Sequence, residues 1–184
     1  YYGYGVMGLN PKGAPVEVMM ACWPWGRYLP HEMVDLKISK HARIHPSTLD
    51  AQAKICGHYV NSIMAVLEIR GTHYHESLLL DTKGNIAEGP GENVFFVKDG
   101  KLFTPKLGSI LAGITRATVI ELAGDLGYEV VEAELTPSDA FDVEEAFFTG
   151  TAAEVTPIRS IDDRQIGNGK IGTVTETLKH AYTE

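Results

Sequence analysis

Asn93-Val94-Phe95-Phe96-Val97-Lys98-Asp99-Gly100-Lys101-Leu102-Phe103-Thr104 reads as a β-hairpin. Two runs of aromatic and β-branched residues flank Asp99-Gly100, a pair suited to a type I′ turn, in which both central residues take φ > 0. Working outward, further short strands are expected at 77–81, 85–88, 128–133, 145–149 and 155–161. A helix is expected over 115–126, stopped by Gly127, with a helical turn at 137–141 and a last helix at 173–182. Upstream, 16–22 and 34–41 read as strands. Pro46-Ser47-Thr48 reads as a helix start, and Ile55, Tyr59, Ile63, Val66 and Ile69 recur on one helical face that Gly71 closes. Strict βαβ alternation is absent, so the fold class is α/β of a mixed, α+β-like kind: a mixed or largely antiparallel sheet with flanking helices.

The chain has 184 residues, which at about 150 per domain predicts one domain with an appendage. Trp23-Pro24-Trp25-Gly26-Arg27-Tyr28-Leu29-Pro30 is interrupted by Pro and Gly and reads as a linker between two lobes. Hydrophobic residues at 44% and charged residues at 22% exclude general disorder. No apolar run approaches the ~18 residues that span a bilayer, and no signal peptide shows. A net charge of −8 disfavours nucleic acid as a partner. Cys22 and Cys56 form no metal pattern and fit a reducing cytoplasm, each as a small buried apolar residue.

Four spacings imitate known sites. Gly3-x-Gly5-x-x-Gly8 matches the dinucleotide fingerprint, but Leu9-Asn10-Pro11 follows where a helix is required. Gly167-x-Gly169-x-x-Gly172 does precede a helix, yet too few residues follow to complete a βαβ unit, so it reads as a turn. His73-x-His75 and His41-x-x-x-His45 lack Cys or acidic partners at ligand spacing, so no metal site is expected.

Four segments carry chemistry when taken together. Lys54 sits in an uncharged stretch; alone it is an exposed lysine near a helix start, and in a desolvated site it is an amine able to form a Schiff base. Tyr59 follows five residues on, about 140° around a helix. Both can serve one site only if Lys54 lies at an irregular entry, which Gly57 permits. Glu88 ends a strand before Gly89-Pro90-Gly91 and offers a carboxylate. Gly113-Ile114-Thr115 opens a helix whose first N–H groups lack internal partners and favour an anion. Gly150-Thr151-Ala152-Ala153 adds a hydroxyl and further amides beside small residues. An amine, a carboxylate, a phenol and two phosphate cradles are what pyridoxal 5′-phosphate requires.

These residues resemble the class IV (fold type IV) pyridoxal-phosphate aminotransferases, and within them the branched-chain aminotransferases. The matching blocks are Ala-Lys-x-x-Gly-x-Tyr-x-x-Ser from Ala53, Glu-Gly-x-Gly-Glu-Asn-x-Phe from Glu88, Leu-x-Gly-Ile-Thr-Arg from Leu111 and Gly-Thr-Ala-Ala-Glu-x-Thr-Pro from Gly150. The resemblance implies a large domain of the D-amino-acid aminotransferase type, a pseudo-barrel of mixed strands. It implies that Lys54 carries the Schiff base and moves the proton, that Glu88 pairs with the pyridinium nitrogen and that Tyr59 bonds the ring oxygen. The amides of Ile114 and Thr115 and the hydroxyls of Thr115 and Thr151 would hold the phosphate. Asn93, Leu111 and Gly113 complete the cofactor shell, Leu111 against the ring. Thr151 and Ala152 would take the substrate carboxylate, with Trp25 and Tyr28 over the substrate and Met7 to Leu9 reaching into a partner's pocket.

The resemblance further implies three regions: 1–24 as the end of a small N-terminal domain, 25–32 as an interdomain loop and 33–184 as the cofactor-binding domain. The rest of the small domain, with its phosphate-binding Arg, is expected elsewhere, as another chain or a missing piece. His58 stands where the family usually has Asn. The implied activity is cytoplasmic transamination of branched-chain L-amino acids with 2-oxoglutarate, by a homodimer or higher homo-oligomer. Its rivals are a D-amino-acid aminotransferase, an aminodeoxychorismate lyase and a non-catalytic isolated domain.

Overall fold

Val94 and Phe96 leave their strand on one side, Phe95 and Val97 on the other, and all four are buried. A strand apolar on both sides must lie inside a covered sheet. The computed structural model describes residues 7–26 and 28–184. Gly3 and Gly5 of the first glycine spacing, and Arg27 of the linker, lie outside the described residues.

Among the described residues eight strands form one mixed sheet. In chain order the elements are β1 (Val34–Ile38), a 3-10 turn (Cys56–His58), α1 (Tyr59–Ile69), β2 (Glu76–Leu78), β3 (Asn93–Lys98), β4 (Lys101–Pro105), α2 (Ile114–Asp125) and β5 (Val130–Ala133). There follow α3 (Pro137–Ala140), β6 (Glu145–Gly150), β7 (Glu154–Ile161), β8 (Arg164–Gln165) and α4 (Thr173–Thr183). The sheet order is β2-β1-β7-β6-β3-β4-β5, with β8 against β7. β1 runs parallel to β2 and β7, and β4 to β5; the other pairs are antiparallel. The β3–β4 turn has φ 50° at Asp99 and 71° at Gly100, both positive as type I′ requires.

One sheet face gathers Val34, Leu36, Leu78, Val94, Phe96, Phe148 and Ile158. The other packs Phe95, Val97, Leu102 and Phe147 under Val119 and Ala123 of α2 and Leu178 of α4. Phe95 and Phe147 stack with centroids 5.2 Å apart. Arg116 fastens α2 to the sheet by donating to the Pro105 carbonyl at 3.0 Å and pairing with Glu132 at 2.6 Å.

Several expectations are corrected. Residues 17–22 form no strand: Val18, Met19 and Met20 are exposed, and no strand among the described residues pairs with them. Pro46 does not begin a helix; turns fill 46–53 and α1 starts at Tyr59. Residues 85–88 make a single bridge, Ile86 to Leu80. Both cysteines are exposed, Cys22 in the extended N-terminal segment and Cys56 at the mouth of the 3-10 turn. The second glycine spacing serves α4: a Cβ on Gly172 would fall on Glu145, whose carboxylate accepts from the N–H groups of Val174 and Thr175. The protein's own acid thus fills that helix end. Among the described residues no helix is long and apolar enough to cross a membrane, and no His, Cys, Asp and Glu grouping could hold a metal ion.

Candidate active site

A cavity of about 270 Å³ opens between the 51–59 segment, the 88–93 turn, the start of α2 and the end of β6. Lys54, Tyr59, Glu88, Asn93, Leu111, Gly113, Ile114, Thr115 and Thr151 all line it. Local structure explains how residues so far apart in sequence meet. Lys54 lies before the 3-10 turn in irregular backbone, so the regular-helix angle that would separate it from Tyr59 does not apply. Gln52 ties this segment to the far wall, donating to the Ile110 carbonyl at 3.0 Å and accepting from the Ala112 N–H at 3.1 Å. Ser62 of α1 donates to the Pro90 carbonyl at 2.7 Å and holds the helix against the Gly-Pro-Gly turn.

Glu88 is buried at the base of the cavity. Its Oε1 accepts from Nε of Arg43 at 2.5 Å. Its Oε2 accepts from Nδ2 of Asn93 at 3.1 Å and the Leu111 N–H at 3.0 Å. The carboxyl is raised on balance, because burial outweighs the opposing pull of the Arg43 charge, its hydrogen bond, the Leu111 N–H and, more weakly, Lys54. Both oxygens face N–H donors, a pattern that only the ionised carboxylate satisfies in full. Asn93 also donates to the Leu111 carbonyl at 3.0 Å. A Cβ at Gly113 would collide with its Oδ1, so glycine at that position lets α2 begin against Asn93.

The start of α2 is bare: Gly113 supplies no capping side chain, and no described residue caps it. Thr115 is buried there, while Ile114 is exposed. Three buried polar atoms among the cavity residues, His58 Nε2, Glu92 Oε1 and Thr149 Oγ1, have no hydrogen-bond partner among the described residues. Glu92 is pushed up to about 8 by burial first and then by the like charge of Glu76.

Not every expected residue reaches the cavity. Trp25 stacks on Trp23 and is exposed, and Met7 and Leu9 are fully exposed. Ala152 sits in the exposed β6–β7 turn. Tyr28 is outside the lining, and burial, with the charges of Glu92 and Glu76, pushes its phenol up to about 12. Lys54 is exposed at the rim rather than enclosed. Arg43 and Gln52 escaped the sequence reading, and Glu92 entered it only as a position of the matching block, without a role. The one signal for Arg43 is a lone guanidinium in a stretch that already contains two histidines and a proline, His41 to Pro46.

The amino-transferase class IV model matches residues 3–161. The branched-chain-amino-acid aminotransferase of Pseudomonas aeruginosa is 43% identical over 99% of this chain, which spans 61% of that relative's length. The solved structure of the Escherichia coli branched-chain amino acid aminotransferase is 42% identical with a TM-score of 0.90, over 96% of this chain and 59% of that one. The branched-chain amino acid aminotransferase of Thermobaculum terrenum, solved in its PLP-form (holo-form), gives a TM-score of 0.80 at 40% identity, over 83% of this chain and 50% of that one. A family model over most of the sequence, identity maintained from end to end and the same fold lead to one statement: the chain belongs to the class IV amino-transferases.

Proposed function

We propose that the cavity binds pyridoxal 5′-phosphate and that the protein, with it, transfers amino groups between branched-chain L-amino acids (Leu, Ile, Val) and 2-oxoglutarate in the cytoplasm. The observation that carries the reading is that Lys54 and Glu88 border one cavity into which the bare end of α2 opens. The donor set fits the group. An amine, a buried carboxylate, a phenol and uncapped helical N–H groups face one space, and orphaned polar atoms line it. The holo-form of the Thermobaculum terrenum relative, which carries this cofactor, supports the same assignment.

In this reading Lys54 holds the cofactor covalently through its amine, and Glu88 accepts the ring N–H. Tyr59 bonds the ring oxygen, Leu111 packs on the ring, and Ile114, Thr115 and Thr151 grip the phosphate, with Gly113 and Asn93 shaping the wall. When bound, the group supplies an electron sink for the bond that breaks at the substrate Cα. Lys54, once displaced, takes the Cα proton and returns it on the other side of the exchange. Glu88, surrounded by donors, stays an acceptor and keeps the ring nitrogen protonated. Thr151 and Ala152 take the substrate carboxylate, while residues 25–32, with Trp25 and Tyr28, close over the side chain between the 1–24 and 33–184 regions. Met7 and Leu9, exposed on this chain, reach the pocket of a second copy in a homodimer.

The test is borohydride reduction of the protein with pyridoxal phosphate, followed by peptide mapping. A pyridoxyl adduct on Lys54, with turnover of L-leucine but not D-alanine, is expected; an adduct elsewhere, or none, overturns the reading.

A further inference from the structure

Residues 110–112, which lead into α2, are held by side chains from three other parts of the chain. The Ile110 carbonyl accepts from Nε2 of Gln52 at 3.0 Å, and the Ala112 N–H donates to Oε1 of the same side chain at 3.1 Å. Leu111, between them, bonds to different partners. Its N–H donates to Glu88 at 3.0 Å and its carbonyl accepts from Nδ2 of Asn93 at 3.0 Å. The tripeptide is a strut that joins Gln52 to the acid at the base of the cavity. Gly113 follows it and α2 begins at Ile114, so the strut also sets where the bare helical N–H groups lie. A carbonyl only accepts and an N–H only donates, so the Gln52 amide fits this pair one way round.

The other end of this tie is the segment that carries Lys54, two residues beyond Gln52. Residues 46–54 contain turns but no helix or strand. Among the described residues, their hydrogen bonds stay within 45–55 except for the two made by the Gln52 side chain. Ala51, 3% exposed, adds an apolar anchor. A stretch of turns with so few outward bonds opens locally at little cost, so the Gln52 amide decides how firmly the Lys54 backbone is held against the far wall.

We propose that Gln52 is a positioning residue, a clasp that sets the span between the Lys54 segment on one side and Glu88 with the bare end of α2 on the other. The proposal rests on the proposed function for the group that fills this span, and adds the residue that fixes its width. A flat ring linked to Lys54 and bonded to Glu88 tolerates little drift between its two anchors, since hydrogen bonds weaken steeply away from their preferred distance and angle. Gln52 meets this need through backbone alone: it grips residues 110 and 112, and residue 111 grips Glu88.

The experiment compares the wild type with Gln52→Met, which keeps the side-chain length and removes both hydrogen bonds, and with Gln52→Glu. Amide hydrogen exchange is read first, on the cofactor-free protein. In Gln52→Met the Leu111 N–H, which Gln52 does not touch, is expected to exchange about tenfold faster, the scale of one or two lost hydrogen bonds, with β3 and β6 unchanged. Loaded with pyridoxal phosphate, the same variant should release it about tenfold faster. Gln52→Glu is the rescue: as a carboxylic acid it offers one donor and one acceptor, as the amide does, and as a carboxylate it offers acceptors only. Its Leu111 exchange, relative to the wild type at the same pH, should be fast near pH 8 and return toward the wild-type rate near pH 4, around the ordinary Glu value of about 4.3. If Gln52→Met does not fold, this pH comparison carries the test alone. Leu111 exchange or cofactor release unchanged in Gln52→Met, or a Gln52→Glu ratio that does not vary with pH, would overturn the proposal. Borohydride labelling of the loaded wild type separates the two ideas. A labelled Lys54 with unchanged exchange rejects the clasp alone, and an unlabelled Lys54 rejects the proposed function, whatever the exchange reads.

Discussion

Arg43 donates through Nε to Oε1 of Glu88 at 2.5 Å, with both side chains more than nine-tenths buried. The pair joins the loop after β1 to the turn before β3 and fixes the acid at the base of the cavity. Its members are 45 residues apart in sequence, and each needs the other: an unpartnered charge at that depth is expensive.

Arg43→Leu should therefore destabilise the fold by about 3–5 kcal/mol, because it strands a buried carboxylate. Adding Glu88→Leu should recover most of the loss. Urea unfolding of the two single variants and the double variant measures this, and additive losses would show that the two side chains are not coupled.

Lys54 is exposed and makes no ion pair among the described residues. Lys54→Ala should change stability by less than about 0.5 kcal/mol, as surface substitutions do, yet remove borohydride labelling and turnover together. Glu88→Gln should still take up cofactor and turn over slowly; unchanged rates in this variant would show that its charge has no role at the ring nitrogen.

The raised values of Glu76 and Glu92, about 7 and about 8 against 4.5, set a sign for stability. Between these limits the folded chain binds more protons than the unfolded one. The contribution of the pair is fully present below about pH 4.5 and is lost as pH rises through 7 and 8. The Tm of the wild type should fall relative to that of Glu92→Gln as pH increases from about 5 to 8. Parallel melting curves across that range would contradict the assignment.

Glu145 caps α4 only because position 172 has no side chain in the way. Gly172→Ala should displace the carboxylate and cost about 1–2 kcal/mol, the range for a lost helix cap with its charge. Thermal unfolding checks it. A substitution as mild as a surface Gly→Ala change would mean that the cap reforms.

Much of this arrangement was legible in advance where a local rule governs it. Asp99-Gly100 dictated a turn, and β3, β4, α2, β6, β7 and α4 fall within two residues of their expected bounds. The site residues from Lys54 to Thr151 follow in part from residue type and spacing and in part, as with Asn93 and Leu111, from the resemblance to the class IV aminotransferases, and nine of them border one cavity. What the sequence hid depends on contacts across the chain. The apolar run at 16–22 has β composition, but no strand among the described residues lies beside 17–22, so the alternation led to no ladder there. The buried state of Glu92 and the pairing of Arg43 come from distant segments, and no spacing announces them. Cys22 and Cys56 were misjudged because their type, in general one of the most buried, says nothing of the exposed segments that carry them.

The pairing of β1 with β7 has a consequence for biosynthesis. Val34 lies opposite Ile158, 124 residues further on, so the β7 side of β1 has no partner until that later strand has left the ribosome. An apolar strand edge stays open throughout that interval. Non-local parallel pairing of this kind is slow and invites association between nascent chains, so low temperature or a chaperone during expression should raise the yield of folded protein.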